Sequence, residues 1–343
     1  MTIYYEDEAT QVIHGDCIEV MKAMPANSTD SIVTDPPYGL EFMGKDWANL
    51  KPGGKQQKMG AADGTPFRRN TGTPSWGASG NPTCINCGGD KYRKGPRKCS
   101  CDNPQFPNHM AEQMRAFQSW SEEWAAEAYR VLKPGGYIIA FGGARTWHRL
   151  AVAVEESGFE IRDSLAWLYG SGFPKHKSSL KPAFEPVVMA RKPLAGTLDD
   201  NIGRHGTGAL NIEECRTGDD MRWPANVFLD EAAAGELNEA RFFYTAKASK
   251  KERPTVDGVA HPTVKPLDLM RWLVKLATPK GGTVLDPFAG SGTTIEACIL
   301  EGFNVIGIER EAEYLPLISA RVDRRDIKSP EQPSLFDSTE AAA

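Results

Sequence analysis

The chain has 343 residues, 40% hydrophobic and 25% charged, with a formal charge of −5, the composition of an ordinary soluble globular protein with ample length to bury a core. No apolar run reaches the roughly 18 residues of a membrane span, which argues against a membrane partner. The N-terminal MTIYYEDEATQ lacks the basic start and apolar stretch of a secretion signal, so a cytoplasmic location is expected. Thiols stay reduced there, and the seven cysteines are not read as a disulfide framework.

In chain order, Gln11–His14 reads as a short strand and Cys17–Met24 as a helix ended by Pro25 and Asn27. Ser31–Asp35 is a second strand and runs directly into Pro36-Pro37-Tyr38-Gly39. From about Leu40 to Asn108 no helical or strand period appears, and a loop of that length is expected to be functional or stapled. Between residues 51 and 101 it carries ten Lys/Arg against Asp63 and Asp90, a local charge of +8. A second basic concentration, five residues against Glu252, lies at Arg241–Arg253. Local fields of this kind steer polyanions more than the net charge does.

Ser119 and Glu122 form a capping box, predicting a helix with Trp120, Trp124, Ala128 and Val131–Leu132 on one face. Lys133-Pro134-Gly135-Gly136 stops it, and Tyr137–Phe141 is a continuous apolar strand. A helix over Ala144–Ser157 and strands over Phe159–Leu168 and Glu185–Arg191 follow. Residues 193–260 read as irregular and polar, with Trp223-Pro224 and Phe242–Tyr244 as isolated aromatic points. The last block is the clearest: helix Pro266–Ala277, strand Thr283–Asp286, helix Thr293–Glu301 closed by Gly302, and strand Asn304–Glu309. Strands alternating with helices predict a parallel, doubly wound α/β sheet. Residues 329–343 read as a disordered tail.

Val284–Thr293 is a strand, a glycine-bearing turn and a helix start, a local structure that lets backbone approach a ligand at the carboxyl end of a strand. Phe288 in this turn suits a purine ring, and Glu309 follows Asp286 by 23 residues, where a carboxylate can take ribose hydroxyls. The turn is not G-x-G-x-x-G and no lysine follows Gly292, which disfavours a dinucleotide or a nucleoside triphosphate.

Asp35-Pro36-Pro37-Tyr38 suits a different task. An exocyclic base amine is a poor nucleophile because its lone pair is delocalised into the ring. Asp35 and the Pro36 carbonyl supply acceptors for its hydrogens, and the two prolines stiffen the turn that holds them. Tyr38 can stack on a base taken out of the duplex. In isolation the tetrapeptide reads equally well as a rigid strand-to-loop turn.

His14-Gly15-Asp16, Asp35–Tyr38, His261-Pro262-Thr263-Val264-Lys265-Pro266, Asp286–Gly292 and Glu309 span nearly the whole chain. Together they resemble the N4-cytosine/N6-adenine family of amino-methylating DNA methyltransferases, in the beta arrangement where the catalytic tetrapeptide precedes the cofactor loop. The resemblance implies a circularly permuted, Rossmann-like sheet of seven strands that uses S-adenosylmethionine. It puts Asp16 and the Cys17 backbone at the cofactor's adenine, and Thr263 and Lys265 beside its methionine end. Asp286, Phe288, Gly290, Ser291, Gly292, Thr293 and Glu309 surround it, while Asp35 is shared with the target amine. His14 and His261 read as satisfied strand-end histidines.

Asp at the first catalytic position favours adenine N6 over cytosine N4 within the resemblance. Outside that pair stand an RNA or protein-glutamine methyltransferase and a catalytically silent DNA-binding protein. The implied partner is double-stranded DNA, with nucleoid association. A homodimer and a separate restriction endonuclease are compatible with this reading.

Cys84-x₂-Cys87 and Cys99-x-Cys101 offer four thiols within eighteen residues, the donor set of a tetrahedral structural zinc. The basic residues between them suggest phosphate contacts. Cys17, Cys215 and Cys298 read as core residues. The expected organisation is therefore a catalytic half over 1–40 and 109–192, a basic zinc-binding insert over 41–108, a target-recognition region over 193–260, and a cofactor-binding half over 261–328. Arg204, His205, Arg222 and Trp223 are candidate base readers in the third of these.

Overall fold

The computed structural model describes residues 1–39, 84–89, 98–106, 109–170, 180–218, 221–230, 233, 243–244, 248 and 252–326. The tail expected at 329–343 and nearly all of the basic residues in 51–101 lie outside the described residues.

The N-terminal part contains β1 (Thr2–Glu6), β2 (Thr10–His14), α1 (Cys17–Ala23) and β3 (Thr29–Thr34). The middle contains α2 (His109–Val131), β4 (Leu132–Phe141), α3 (Trp147–Glu156), β5 (Glu160–Leu168), β6 (Phe184–Arg191), α4 (Leu198–His205), β7 (Val227–Leu229) and β8 (Phe243–Tyr244). A small hairpin of β9 (Thr255–Val256) and β10 (Val259–Ala260) leads to α5 (Leu267–Ala277), β11 (Thr283–Asp286), α6 (Thr293–Glu301), β12 (Asn304–Glu309) and α7 (Leu315–Val322).

One sheet runs in the order β1-β2-β12-β11-β3-β4-β6-β5-β7-β8. Strands β2, β12, β11, β3 and β4 are mutually parallel, and β6 lies antiparallel between β4 and β5. Two strands from the C-terminal part, β11 and β12, thus sit between β2 and β3 from the N-terminal part. The sheet has ten strands where seven were expected. Antiparallel β1 extends one edge, and short β7 and β8 extend the other. Those additions were illegible for a physical reason: β1 is mostly exposed and shows no apolar period, while β7 has only three residues.

The central strands are buried on both faces, so neighbouring residues point into opposite cores. Val12, Val33, Ile139, Val187, Val284 and Val305 pack with α5, α6 and α7. Ile13, Ile32, Ile138, Val188, Leu285 and Ile308 pack with α1, α2 and α3. Cys17, Cys215 and Cys298 are all buried in these cores, as expected.

Three further expectations differ from the structure. Helix α2 starts at His109, so Ser119 lies inside it and caps nothing. Buried Met114 and Phe117 continue the apolar stripe upstream, which extends the helix past the capping signal. The Lys133–Gly136 segment does end α2, but it is already part of β4, with an irregular register against β3 and Gly135 at φ 80°. Finally, residues 193–260 are not uniformly irregular. Helix α4 is capped by Thr197, whose side chain accepts the Asp200 N–H, and closed by Gly206 at φ 75°. Fully buried Asn201 donates to the carbonyls of Pro134 and Thr207, which ties α4 to β4. Arg204, Arg222 and Trp223 remain exposed, His205 is half-buried, and the Arg216 guanidinium lies 5.4 Å from the Trp223 ring.

Candidate active site

The carboxyl ends of β2, β3, β11 and β12 open into a single cleft of about 520 Å³. Every candidate catalytic and cofactor residue except Gly292 lines it: Asp16, Cys17, Asp35, Pro36, Pro37, Tyr38, Thr263, Lys265, Asp286, Phe288, Gly290, Ser291, Thr293 and Glu309. Gly292 instead starts α6 at φ 81°, and a Cβ there would lie 3.2 Å from the Ile318 backbone.

At one end, the Asp16 carboxylate accepts the N–H of Ile18 at 3.0 Å and so caps α1. The neighbouring Cys17 thiol is pushed up by burial and stays protonated. Two backbone segments converge beside it through Glu309, whose carbonyl accepts the Gly15 N–H at 3.0 Å. Its carboxylate accepts the N–H groups of Gly290 and Glu311, both at 2.7 Å. Burial nevertheless lifts the Glu309 pKa to about 7. Gly290 is required in this turn, because its φ is 53° and an added Cβ would press on the His261 ring at 3.1 Å.

The floor of the glycine turn is set by Asp286, which is 2% exposed. One of its oxygens accepts the Thr34 hydroxyl at 2.7 Å and the Phe288 N–H at 3.2 Å, and burial raises its pKa to about 6. The half-buried Phe288 ring packs on Trp120 and Trp124, with centroids 5.6 and 5.4 Å away. Trp120 itself lines the cleft, so α2 supplies an aromatic backing to the cofactor loop.

At the other end, Asp35, Tyr38, Lys265 and Glu185 form a closed polar cluster. The Tyr38 hydroxyl lies 3.0 Å from Asp35 Oδ1 and 3.0 Å from Glu185 Oε2. The Lys265 ammonium lies 2.5 Å from Asp35 Oδ2, 3.2 Å from Glu185 Oε2 and 3.2 Å from the Tyr38 oxygen. Burial alone pulls the Lys265 pKa down, but the two carboxylates outweigh it and hold it above the ordinary value. Burial, reinforced by the same carboxylates, pushes the Tyr38 hydroxyl well up, so it stays a donor at neutral pH.

His14 and His261 are satisfied by backbone, as read from the sequence. The His14 ring lies 3.1 Å from the Arg310 carbonyl, and His261 Nδ1 lies 2.8 Å from the Thr263 carbonyl. Burial lowers His261 to about 4, which keeps it neutral.

Glu185, Trp120, Trp167, Arg145, Met270 and Tyr314 also line the cleft and were not anticipated. Trp120 was legible only as part of a helix face, and Glu185 only as the first residue of a strand, with no sign of a role in the site. The meeting of Glu185 with Lys265 depends on the antiparallel placement of β6, which no local pattern encodes.

Apart from the cleft, the sulfur atoms of Cys84, Cys87, Cys99 and Cys101 all lie within 4.8 Å of one another. Cys84–Cys101 and Cys87–Cys99 approach to 3.9 and 3.6 Å.

The parallel-centred sheet thus brings a glycine turn and an Asp-Pro-Pro-Tyr turn into one cleft. The chain matches the N6/N4 DNA methylase family over residues 29–320 and belongs to that family. It is 28% identical over 324 residues to the Type II methyltransferase M.HindIII of Haemophilus influenzae, covering 87% of this chain and 90% of that protein. Among solved structures, its fold is similar to the PvuII cytosine-N4-specific DNA methyltransferase, with a TM-score of 0.56 at 16% identity over 93% of this chain and 88% of that one. The M1.HpyAVI–SAM complex is similar with a TM-score of 0.50 at 19% identity, over 92% and 99% of the two chains.

Proposed function

We propose that this DNA methyltransferase moves a methyl group from S-adenosylmethionine to N6 of an adenine flipped out of double-stranded DNA. The observation that carries this is the single cleft joining the Gly290 turn and Glu309 to the Asp35–Tyr38 turn. The cofactor fits the residues present. Glu309 offers acceptor oxygens to ribose hydroxyls, Phe288 offers a ring backed by two tryptophans, and the glycine turn lets backbone come close. Asp16, Cys17, Thr263, Ser291 and Thr293 complete the wall. A permuted methyltransferase sheet accounts for β11 and β12 lying between β2 and β3.

When bound, S-adenosylmethionine supplies a methyl group on a positively charged sulfur, which keeps the bonding pair on transfer. The chain's own residues prepare the amine. Asp35 and the Pro36 carbonyl accept its two hydrogens, which draws the nitrogen toward a tetrahedral shape and aims its lone pair. Tyr38 stacks on the flipped base. Once the C–N bond forms, the nitrogen is cationic and strongly acidic, and its surplus proton leaves to water. A dedicated general base is unnecessary.

The four-cysteine cluster fits structural zinc. A tetrahedron with Zn–S bonds of about 2.3 Å has edges of about 3.8 Å, close to the 3.9 and 3.6 Å observed between paired sulfurs. A Cβ on Gly89 would lie 2.7 Å from the Cys99 backbone, so the knuckle tolerates only glycine there. The basic residues around it suit DNA phosphates.

The reading is tested with purified protein, labelled S-adenosylmethionine and unmethylated bacterial DNA, followed by nucleoside digestion and mass spectrometry. N6-methyladenine is expected. N4-methylcytosine would keep the cleft chemistry and overturn the base assignment, and the absence of any methylated nucleoside would overturn the reading.

A further inference from the structure

Both carboxylate oxygens of Asp35 are engaged before any substrate arrives, Oδ1 by the Tyr38 hydroxyl and Oδ2 by the Lys265 ammonium. Each oxygen keeps a further lone pair, so a hydrogen from the target amine joins a carboxylate that already holds two donors, and any turn of Asp35 toward the amine loosens those bonds. Both donors reach one other group. Glu185 Oε2 stands 3.0 Å from the Tyr38 oxygen and 3.2 Å from Lys265 Nζ. Glu185 lies near the start of β6, which passes antiparallel between β4 and β5 and thereby brings its first residues to the catalytic end of the cleft.

We propose that Glu185 is a positioning residue for methyl transfer: the alternative acceptor that receives Tyr38 and Lys265 when Asp35 turns to the amine. The assignment rests on the methyltransferase reading above. Tyr38 has one hydroxyl hydrogen and donates it to Asp35 or to Glu185 at any instant. Donation to Glu185 keeps the hydroxyl anchored, so the ring stays in place under the base while Asp35 is free. Lys265 has three hydrogens, enough for both carboxylates and the Tyr38 oxygen together. Its side chain is only 8% exposed, so an acceptor must remain when Asp35 shifts its bonding elsewhere. Two carboxylates against one ammonium also leave the cluster net negative, which favours the amine as it becomes cationic.

Single-turnover methylation rates and cofactor dissociation constants are compared for wild type, Glu185→Gln, Glu185→Leu, Tyr38→Phe and the Glu185→Gln/Tyr38→Phe double variant. Glu185→Gln keeps an acceptor oxygen and is expected to slow transfer about 10-fold, Glu185→Leu about 100-fold. Cofactor affinity should stay within about 2-fold of wild type in both, since Glu185 stands at the catalytic end. In the Tyr38→Phe background Glu185→Gln should cost clearly less, because the shared hydroxyl is gone. Wild-type transfer rates in both Glu185 variants overturn the proposal. So do losses that track cofactor affinity or melting temperature, and so does full multiplicativity with Tyr38→Phe. Should Glu185→Leu fail to fold, Glu185→Gln decides the matter alone. A wild-type protein that methylates no DNA overturns the enzymatic reading itself, a result distinct from an active wild type with indifferent Glu185 variants.

Discussion

Both carboxylate oxygens of Glu309 accept backbone hydrogens, in a setting where burial lifts the pKa to about 7. Ribose hydroxyls are donors and prefer the ionised form. The bound state therefore holds fewer protons than the free protein, and affinity rises with pH through the raised pKa. Calorimetric titration should show cofactor affinity increasing between about pH 6 and 8, with the increase absent in Glu309→Gln. Asp35→Ala should reduce transfer by on the order of 10³-fold or more while leaving the melting temperature close to wild type. Retained activity in that variant would sink the mechanism. Phe288→Ala should weaken cofactor binding by about 1–3 kcal/mol, the cost of losing one stack between a base and an aromatic ring. It should also lower the melting temperature, because Phe288 packs against Trp120 and Trp124. At this scale the sequence was informative wherever chemistry and spacing coincide, as in Asp35–Tyr38. It was silent on Glu185, whose partners Tyr38 and Lys265 stand 147 and 80 positions away.

Helix α6 begins at Gly292 with φ 81°, a left-handed conformation that a side chain resists, and α7 packs close against it. Gly292→Ala is accordingly expected to lose about 1–2 kcal/mol of stability, read by thermal or denaturant unfolding. A neutral result would show that the α6–α7 contact relaxes freely. Elements with a strong period and clear caps were legible in advance, the α5–β11–α6–β12 run above all. Helix α4 was not, because it has eight residues and, among those, only Asn201 is buried. Its stability comes from Thr197 and Gly206 at its ends and from Asn201 bridging to Pro134. The start of α2 lies upstream of its sequence signal for a related reason. A capping box inside a longer amphipathic helix is overruled when buried residues such as Met114 and Phe117 continue the stripe.

For the molecule as a whole, the four-thiol cluster and the basic segment around it form the part least required by methyl transfer. Purified protein is expected to carry about one zinc per chain by elemental analysis, in keeping with one four-thiol site. Replacing all four cysteines with serine should remove the metal and weaken DNA binding while cofactor affinity persists. Unchanged DNA affinity and unchanged folding in that variant would end the proposed role.

The alternation of strands and helices, the two turns on which the proposed chemistry rests, and the family they point to could all be read from the chain's local patterns. Each of these rests on local physics: glycine where backbone bends left-handed or approaches closely, proline where a turn must be stiff, apolar runs where both faces are buried. The ten-strand order, with β11 and β12 inserted between β2 and β3, emerged from the packed fold alone. The same packing brought Glu185 to the Asp35–Tyr38–Lys265 cluster and set Trp120 behind Phe288. Such meetings depend on which strands pair and in which direction. Pairing is settled by the burial of whole faces against one another, and no short stretch of chain carries that information.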